Sequence, residues 1–166
     1  MATLPVLDDK TLTAGQIIEA FQQDAPVDVI GIAEALGIHV WEEKLGSVSG
    51  KLFVDKLNGG KSGFSIVVNK TESLLRKRFT VAHELAHFIL HRDDLENGIV
   101  EDALFRSGLS SKQETEANKL AADILMPFPL VQKLMGEGLR TIEELSEALQ
   151  VSKAAISIRL GVAYAD

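Results

Sequence analysis

RKRFTVAHELAHFILH, residues 76–91, reads as one helix with chemistry built into it. Thr71 can cap its start, and the helical pattern runs on to about His91, long enough to be the central element of the fold. Within it stands His83-Glu84-Leu85-Ala86-His87, an H-E-x-x-H. Residues four apart on a helix share a face one turn apart, so both imidazoles can bind one zinc ion, with Glu84 beside them to deprotonate the attacking water. Shuffling the chain's histidines and glutamates produces this spacing in about 0.6% of sequences, so the match is informative. The bland alternative puts His83 and His87 on the polar face of an amphipathic helix.

Catalytic zinc commonly takes three protein ligands and keeps a fourth position open, so a third ligand is needed. His91 continues the series, but a third imidazole along a straight helix points past a metal bound by the first two. It reads instead as a helix-end residue facing the C-terminal carbonyls. A second helix packed on the first is the better source. QETEANKLAADILMP, residues 113–127, supplies Glu114 and Glu116. If Asn118 faces the site, Glu114 shares its face, and Glu116 is turned away by about 200°. The competing role for Glu114 is a capping box with Ser111, three residues before it.

Upstream of these helices the apolar period is two. IHVWEEK (38–44), SGKLFVDK (49–56) and FSIVVN (64–69), joined by turns such as LNGGKSG, predict a small antiparallel sheet of about three strands. Two short helices precede it, one capped by Thr13 with Ile17, Ile18 and Phe21 at helical spacing, the other opened by Pro26 and Asp28 and stopped by Gly37. Downstream, an acidic connection containing Asp93, Asp94, Glu96, Glu101 and Asp102 leads to a helix from Ser110 or Ser111 to Met126, stopped by Pro127. TIEELSEALQVSKAAISIRL then reads as two short helices, 141–149 and 152–160, in a helix-turn-helix-like pair, with Thr141 and Glu144 as a capping box. The fold class is α+β and mostly helical. Residues 1–166 read as a single domain: 1–37 N-terminal helices, 38–69 the sheet, 70–127 the metal-binding helices, and 128–166 a C-terminal helical segment.

Composition narrows the function. The chain has 166 residues, 46% hydrophobic and 25% charged, enough to bury a real core. No cysteine is present, so neither a disulfide nor a thiolate metal site is available and a metal must be held by His, Asp or Glu. The net charge of −7 is shared by both halves and repels phosphate backbones and anionic lipid. No run of about 18 apolar residues and no signal-peptide pattern is visible, so a cytoplasmic protein is expected.

RKRFTVAHELAHFILH followed by ETEANKLAADILMP resembles the ImmA/IrrE family of intracellular zinc metallopeptidases, whose pattern joins an R-x-R-F-T-x-A-H-E-x-x-H helix to a second helix ending in LMP. VNKTES and PVDVIGIAEALGIHV extend the likeness over roughly Pro26 to Leu160. The resemblance implies zinc (Zn2+) on His83, His87 and Glu114, with Glu84 as general base. Ala86 departs from the family's usual glycine, and a second acid at the position of Glu116 is common among members. The resemblance also implies limited cleavage of a transcriptional regulator of helix-turn-helix type, in a phage or stress response, by an endopeptidase. The donor that steadies the oxyanion stays open among Arg76, Lys77, Arg78, Asn118 and Tyr164. An edge of the sheet, SGKLFVDK or FSIVVN, is a candidate for pairing with an extended substrate.

Two rival readings remain. The chain can be a metal-containing antirepressor or sensor that binds a regulator without cutting it. Retention of Glu84 argues for hydrolysis, since a structural metal needs no general base. Alternatively, the C-terminal pair binds DNA, but its second helix offers only Lys153 and Arg159, and the first carries Glu143, Glu144 and Glu147. No direct nucleic-acid partner is expected.

Overall fold

The structure, a computed structural model, describes residues 12–95, 99–101 and 110–163. Two short helices open it, α1 (Ala14–Phe21) and α2 (Val29–Ala35). Thr13 caps α1 in a complete box with Gln16, and the Asp28 carboxylate accepts from the Gly31 N–H to start α2. Gly37, with φ of 82°, turns the chain out of α2 as expected.

Strands β1 (Ile38–Glu43), β2 (Gly50–Val54) and β3 (Phe64–Asn69) follow within two residues of their predicted ends, and a short β4 (Ile99–Glu101) joins them. The α+β class holds, but the sheet is mixed. Its order is β1-β3-β2-β4, with β1 parallel to β3 and β2 antiparallel to both β3 and β4. Alternating periodicity marks strands without naming their neighbours, and local connection favours a meander that the chain does not adopt. Consequently neither SGKLFVDK nor FSIVVN is an edge. β3 is buried along its whole length, as an internal strand covered on both faces should be.

The central helix is α3 (Leu74–His91), capped by the Ser73 hydroxyl rather than Thr71. Thr71 is occupied elsewhere. Its N–H and hydroxyl donate to the side-chain carbonyl of buried Asn69, whose amide donates to the carbonyls of Gly46 and Val48, fixing the turn from β3 into α3. α3 lies against the sheet and packs most extensively on α4 (Ser111–Leu125). Ala82 and Ala86 on α3 and Ala117 and Ala121 on α4 are fully buried. Such small residues at four-residue spacing let helix axes approach closely, and the methyl of Ala86 is housed in an uninterrupted helix. Where β2 meets α3 there is no spare room: a Cβ on Gly50 would lie 2.5 Å from Thr80 Cγ2 and 3.0 Å from the Val67 carbonyl oxygen. Gly50→Ala should therefore destabilise the protein by about 1–3 kcal/mol, read as a lower urea midpoint. An unchanged midpoint would mean that β2 yields at no cost.

An unexpected helix, α5 (Phe128–Gly136), starts at Pro127, where the helical pattern had been expected to stop. Proline ends a preceding helix and also suits the first turn of the next, and here Pro127 and Pro129 do both. α6 (Ile142–Leu149) and α7 (Lys153–Leu160) close the described chain. Thr141 caps α6 by accepting from the Glu144 N–H. Their inner residues Leu145, Leu149, Val151 and Ile156 belong to the core.

Two arginines tie this pair to the central helices. Arg78 of α3 donates from Nε to the Gln150 carbonyl and from Nη2 to the Leu149 carbonyl, at the C-terminal end of α6 where the helix dipole favours a cation. Burial lowers its pKa from the ordinary guanidinium value, opposed by the charge of Asp28. Arg159 of α7 donates to the Met126 carbonyl at 2.7 Å and to Asp123 at 2.6 Å, and stacks over Phe128. One of the two basic side chains of α7 is thus committed to packing. Among the described residues no helix is long and apolar enough to cross a membrane.

Candidate metal centre

The buried face of α3 presents His83, Glu84 and His87, exposed by 3%, 0% and 0%. The rings of His83 and His87 stand nearly perpendicular, with their Nε2 atoms 3.2 Å apart. Phe79, one turn earlier, lies against His83 with ring centroids 6.0 Å apart.

Glu114 arrives from α4. The N-cap of that helix is Ser110, in a complete capping box with Gln113, so the box expected between Ser111 and Glu114 is displaced by one residue and the Glu114 carboxylate is not used for capping. The Gln113 amide also donates to Asp94, in the 3-10 turn Arg92–Leu95 that follows α3. The start of α4 is thereby tied to the end of α3. Glu114 lies in the first turn of α4, where the positive end of the helix dipole favours an ionised carboxylate. Its Oε2 is 3.4 Å from His83 Nε2 and its Oε1 is 3.0 Å from His87 Nε2. Glu116 is exposed. Asn118 is exposed too, so the face that Glu114 shares is the one carrying Ala117 and Ala121.

These geometries can be tested against a metal. The His83, His87 and Glu114 donor atoms all lie within 4.8 Å of one another. Ligands with bonds of about 2.0–2.1 Å in a tetrahedron stand roughly 3.3–3.4 Å apart; the two Nε2 atoms meet this at 3.2 Å, and Glu114 brings one carboxylate oxygen to 3.4 Å from His83 and the other to 3.0 Å from His87, within reach of an ion held between the imidazoles. Two imidazoles and a carboxylate form a donor set that leaves a fourth position open, as catalytic rather than structural sites do.

His91 is where the sequence reading departs most from the structure. It does not face the C-terminal carbonyls. It is 5% exposed, and its Nδ1 lies 3.0 Å from Nδ1 of His87. The continued four-residue spacing was the signal for this contact. Of the candidate oxyanion donors, Arg78 is engaged with α6, Lys77 pairs with Glu42 at 2.9 Å, and Arg76 pairs with Glu72 and reaches Ser49. Tyr164 lies outside the described residues, as does most of the acidic connection.

Residues 33–161 match the peptidase family described as the IrrE N-terminal-like domain. The radiation response metalloprotease IrrE of Deinococcus radiodurans is 36% identical over 93 residues, which cover 54% of this chain and 28% of that protein. This chain thus spans well under half of the curated relative it matches. A Mycobacterium tuberculosis transcriptional regulator shares the fold, with a TM-score of 0.52 at 14% identity, over 90% of this chain and 41% of that one. A family match across most of the chain places it among metallopeptidases, a class that works with a divalent metal. The chain belongs to the ImmA/IrrE family of metallopeptidases, the IrrE N-terminal-like domain family.

Proposed function

We propose that this chain is a cytoplasmic, zinc-dependent endopeptidase that cuts a transcriptional regulator of helix-turn-helix type at a limited site. The observation that carries the reading is the convergence of His83 Nε2, His87 Nε2 and the Glu114 carboxylate beside the buried Glu84. In it, His83, His87 and Glu114 hold the metal and Glu84 is the catalytic base. A zinc ion in such a set polarises the scissile carbonyl and lowers the pKa of water. The chain's own residues do the rest. Glu84 takes a proton from the attacking water on a carboxylate oxygen and returns it to the departing amide nitrogen. The packing of α3 against α4 holds the three donors in place before substrate arrives, so no reorganisation is charged to the reaction. Residues 1–166 work as one metallopeptidase domain in this reading, with 128–166 bracing the metal helices through Arg78 and Arg159.

Elemental analysis tests the centre. One equivalent of zinc should accompany the wild type and Glu116→Ala, and should be missing from His83→Ala and Glu114→Ala. A wild type that stays metal-free after reconstitution at neutral pH would overturn the reading.

A further inference from the structure

We propose that His91 is a positioning residue that fixes the tautomer and ring angle of His87, an assignment that rests on the metal-centre reading above. The last turn of a helix is commonly solvated, yet His91 is buried, and burying a polar ring is costly without a hydrogen-bonded partner. Its partner is His87, through the Nδ1 to Nδ1 approach of 3.0 Å. Two neutral imidazoles can make that contact only if one nitrogen bears the proton and the other accepts it.

The direction follows from the other side of the His87 ring. His87 Nε2 faces His83 and Glu114, and a ligating imidazole presents a lone pair there, so its proton must sit on Nδ1. His87 Nδ1–H therefore donates, His91 Nδ1 accepts, and the His91 proton sits on Nε2, which is buried without a hydrogen-bond partner among the described residues, so the contact with His87 is the one that offsets the burial of this ring. His91 thus grips His87 from the side away from the donor set. It is not a fourth ligand: the donor cluster comprises His83, His87 and Glu114, and His91 meets His87 at Nδ1, the ring nitrogen that does not face them. The backbone around it is held by its neighbours: Arg92 stacks over Phe88 at 4.6 Å, Phe88 packs edge-on against Phe64 of β3, and Asp94 accepts from Gln113 of α4. The end of α3 is therefore fastened to the sheet and to the helix that carries Glu114. Partners of this kind orient a metal ligand and raise its basicity, and losing one typically costs about 10–100-fold in metal affinity.

The test uses two polar substitutions that place their polar atoms differently. The Asn side-chain oxygen can occupy the position of imidazole Nδ1, whereas the Gln amide reaches the position of Nε2 and leaves the Nδ1 position without an acceptor. Wild type, His91→Asn, His91→Gln and His83→Ala are stripped of metal, their melting temperatures are compared without metal, and zinc affinity is measured by chelator competition. Absorption spectra are recorded with cobalt(II) in place of zinc. Affinity should stay within about threefold of wild type for His91→Asn and fall about 10–100-fold for His91→Gln, with an altered cobalt spectrum only in the latter. Equal affinities in the two variants, whether both unchanged or both reduced in step with metal-free melting, would overturn the assignment. Zinc binding by His83→Ala as tight as wild type, or none by the wild type, would overturn the metal centre and the assignment with it.

Discussion

Glu84→Gln should reduce cleavage by about 10²–10⁴-fold and leave one equivalent of zinc in place. The substitution keeps the size and shape of the side chain, which matters at a position with no exposed surface on a tightly packed helix. It removes only the capacity to take a proton. The turn of α3 sets the spacing of the two imidazoles and the capped start of α4 sets where the Glu114 carboxylate leaves the chain, and Gln leaves both helices as they are. The variant also separates the two ways such a protein can relieve repression. A regulator that is merely sequestered should still be bound and inactivated by Glu84→Gln. A regulator that is cut should be captured intact by the variant and cleaved when wild-type protein is added. Cleavage by Glu84→Gln at the wild-type rate, with metal content confirmed, would remove Glu84 from the chemistry.

The central helix and the convergence of His83 and His87 on one face are legible in the sequence because both depend on local spacing. Four-residue intervals put His83, His87 and His91 on one face whatever the surroundings, and the structure merely supplies what lies opposite. Helix phase also separates Glu114, which the structure brings to His83 and His87, from exposed Glu116, though the reference face is the alanine stripe of Ala117 and Ala121 rather than exposed Asn118. Other features depend on events that local sequence records weakly. The parallel pairing of Ile38–Glu43 with Phe64–Asn69 is a long-range choice that the local β2–β3 pairing does not specify. α5 was hidden by the double meaning of proline, which stops one helix and starts another. The burial of His91 at a helix end is set by tertiary packing, which the sequence around it does not record. α6 and α7 are two short helices joined at Gln150, which is in the left-handed conformation, and Arg159 faces Met126, Asp123 and Phe128.

Zinc at about a thousandfold excess over its Kd should raise the melting temperature by roughly 8–16 °C, and Glu114→Ala should abolish the rise. A ligand that binds the native state alone stabilises it by about 4 kcal/mol at that excess, and each kcal/mol moves the midpoint of a chain of this size by about 2–4 °C. The coupling should be strong because the donors belong to different helices: α3 contributes both imidazoles and α4 the carboxylate, so a bound ion links two elements that separate on unfolding. Glu114 is the informative residue to remove. His87 is fully buried, and truncating it would also leave a cavity, lowering stability with or without metal. The Glu114 side chain is 29% exposed at a helix start already capped by Ser110 and Gln113, so the metal-free variant should melt close to metal-free wild type. The effect of the substitution then lies in the lost response to zinc. Glu116→Ala, altering an exposed residue on the same helix, should keep the full response. If the response persisted in Glu114→Ala and vanished in Glu116→Ala, α4 would have to present its other face to α3, contrary to the burial of Ala117 and Ala121.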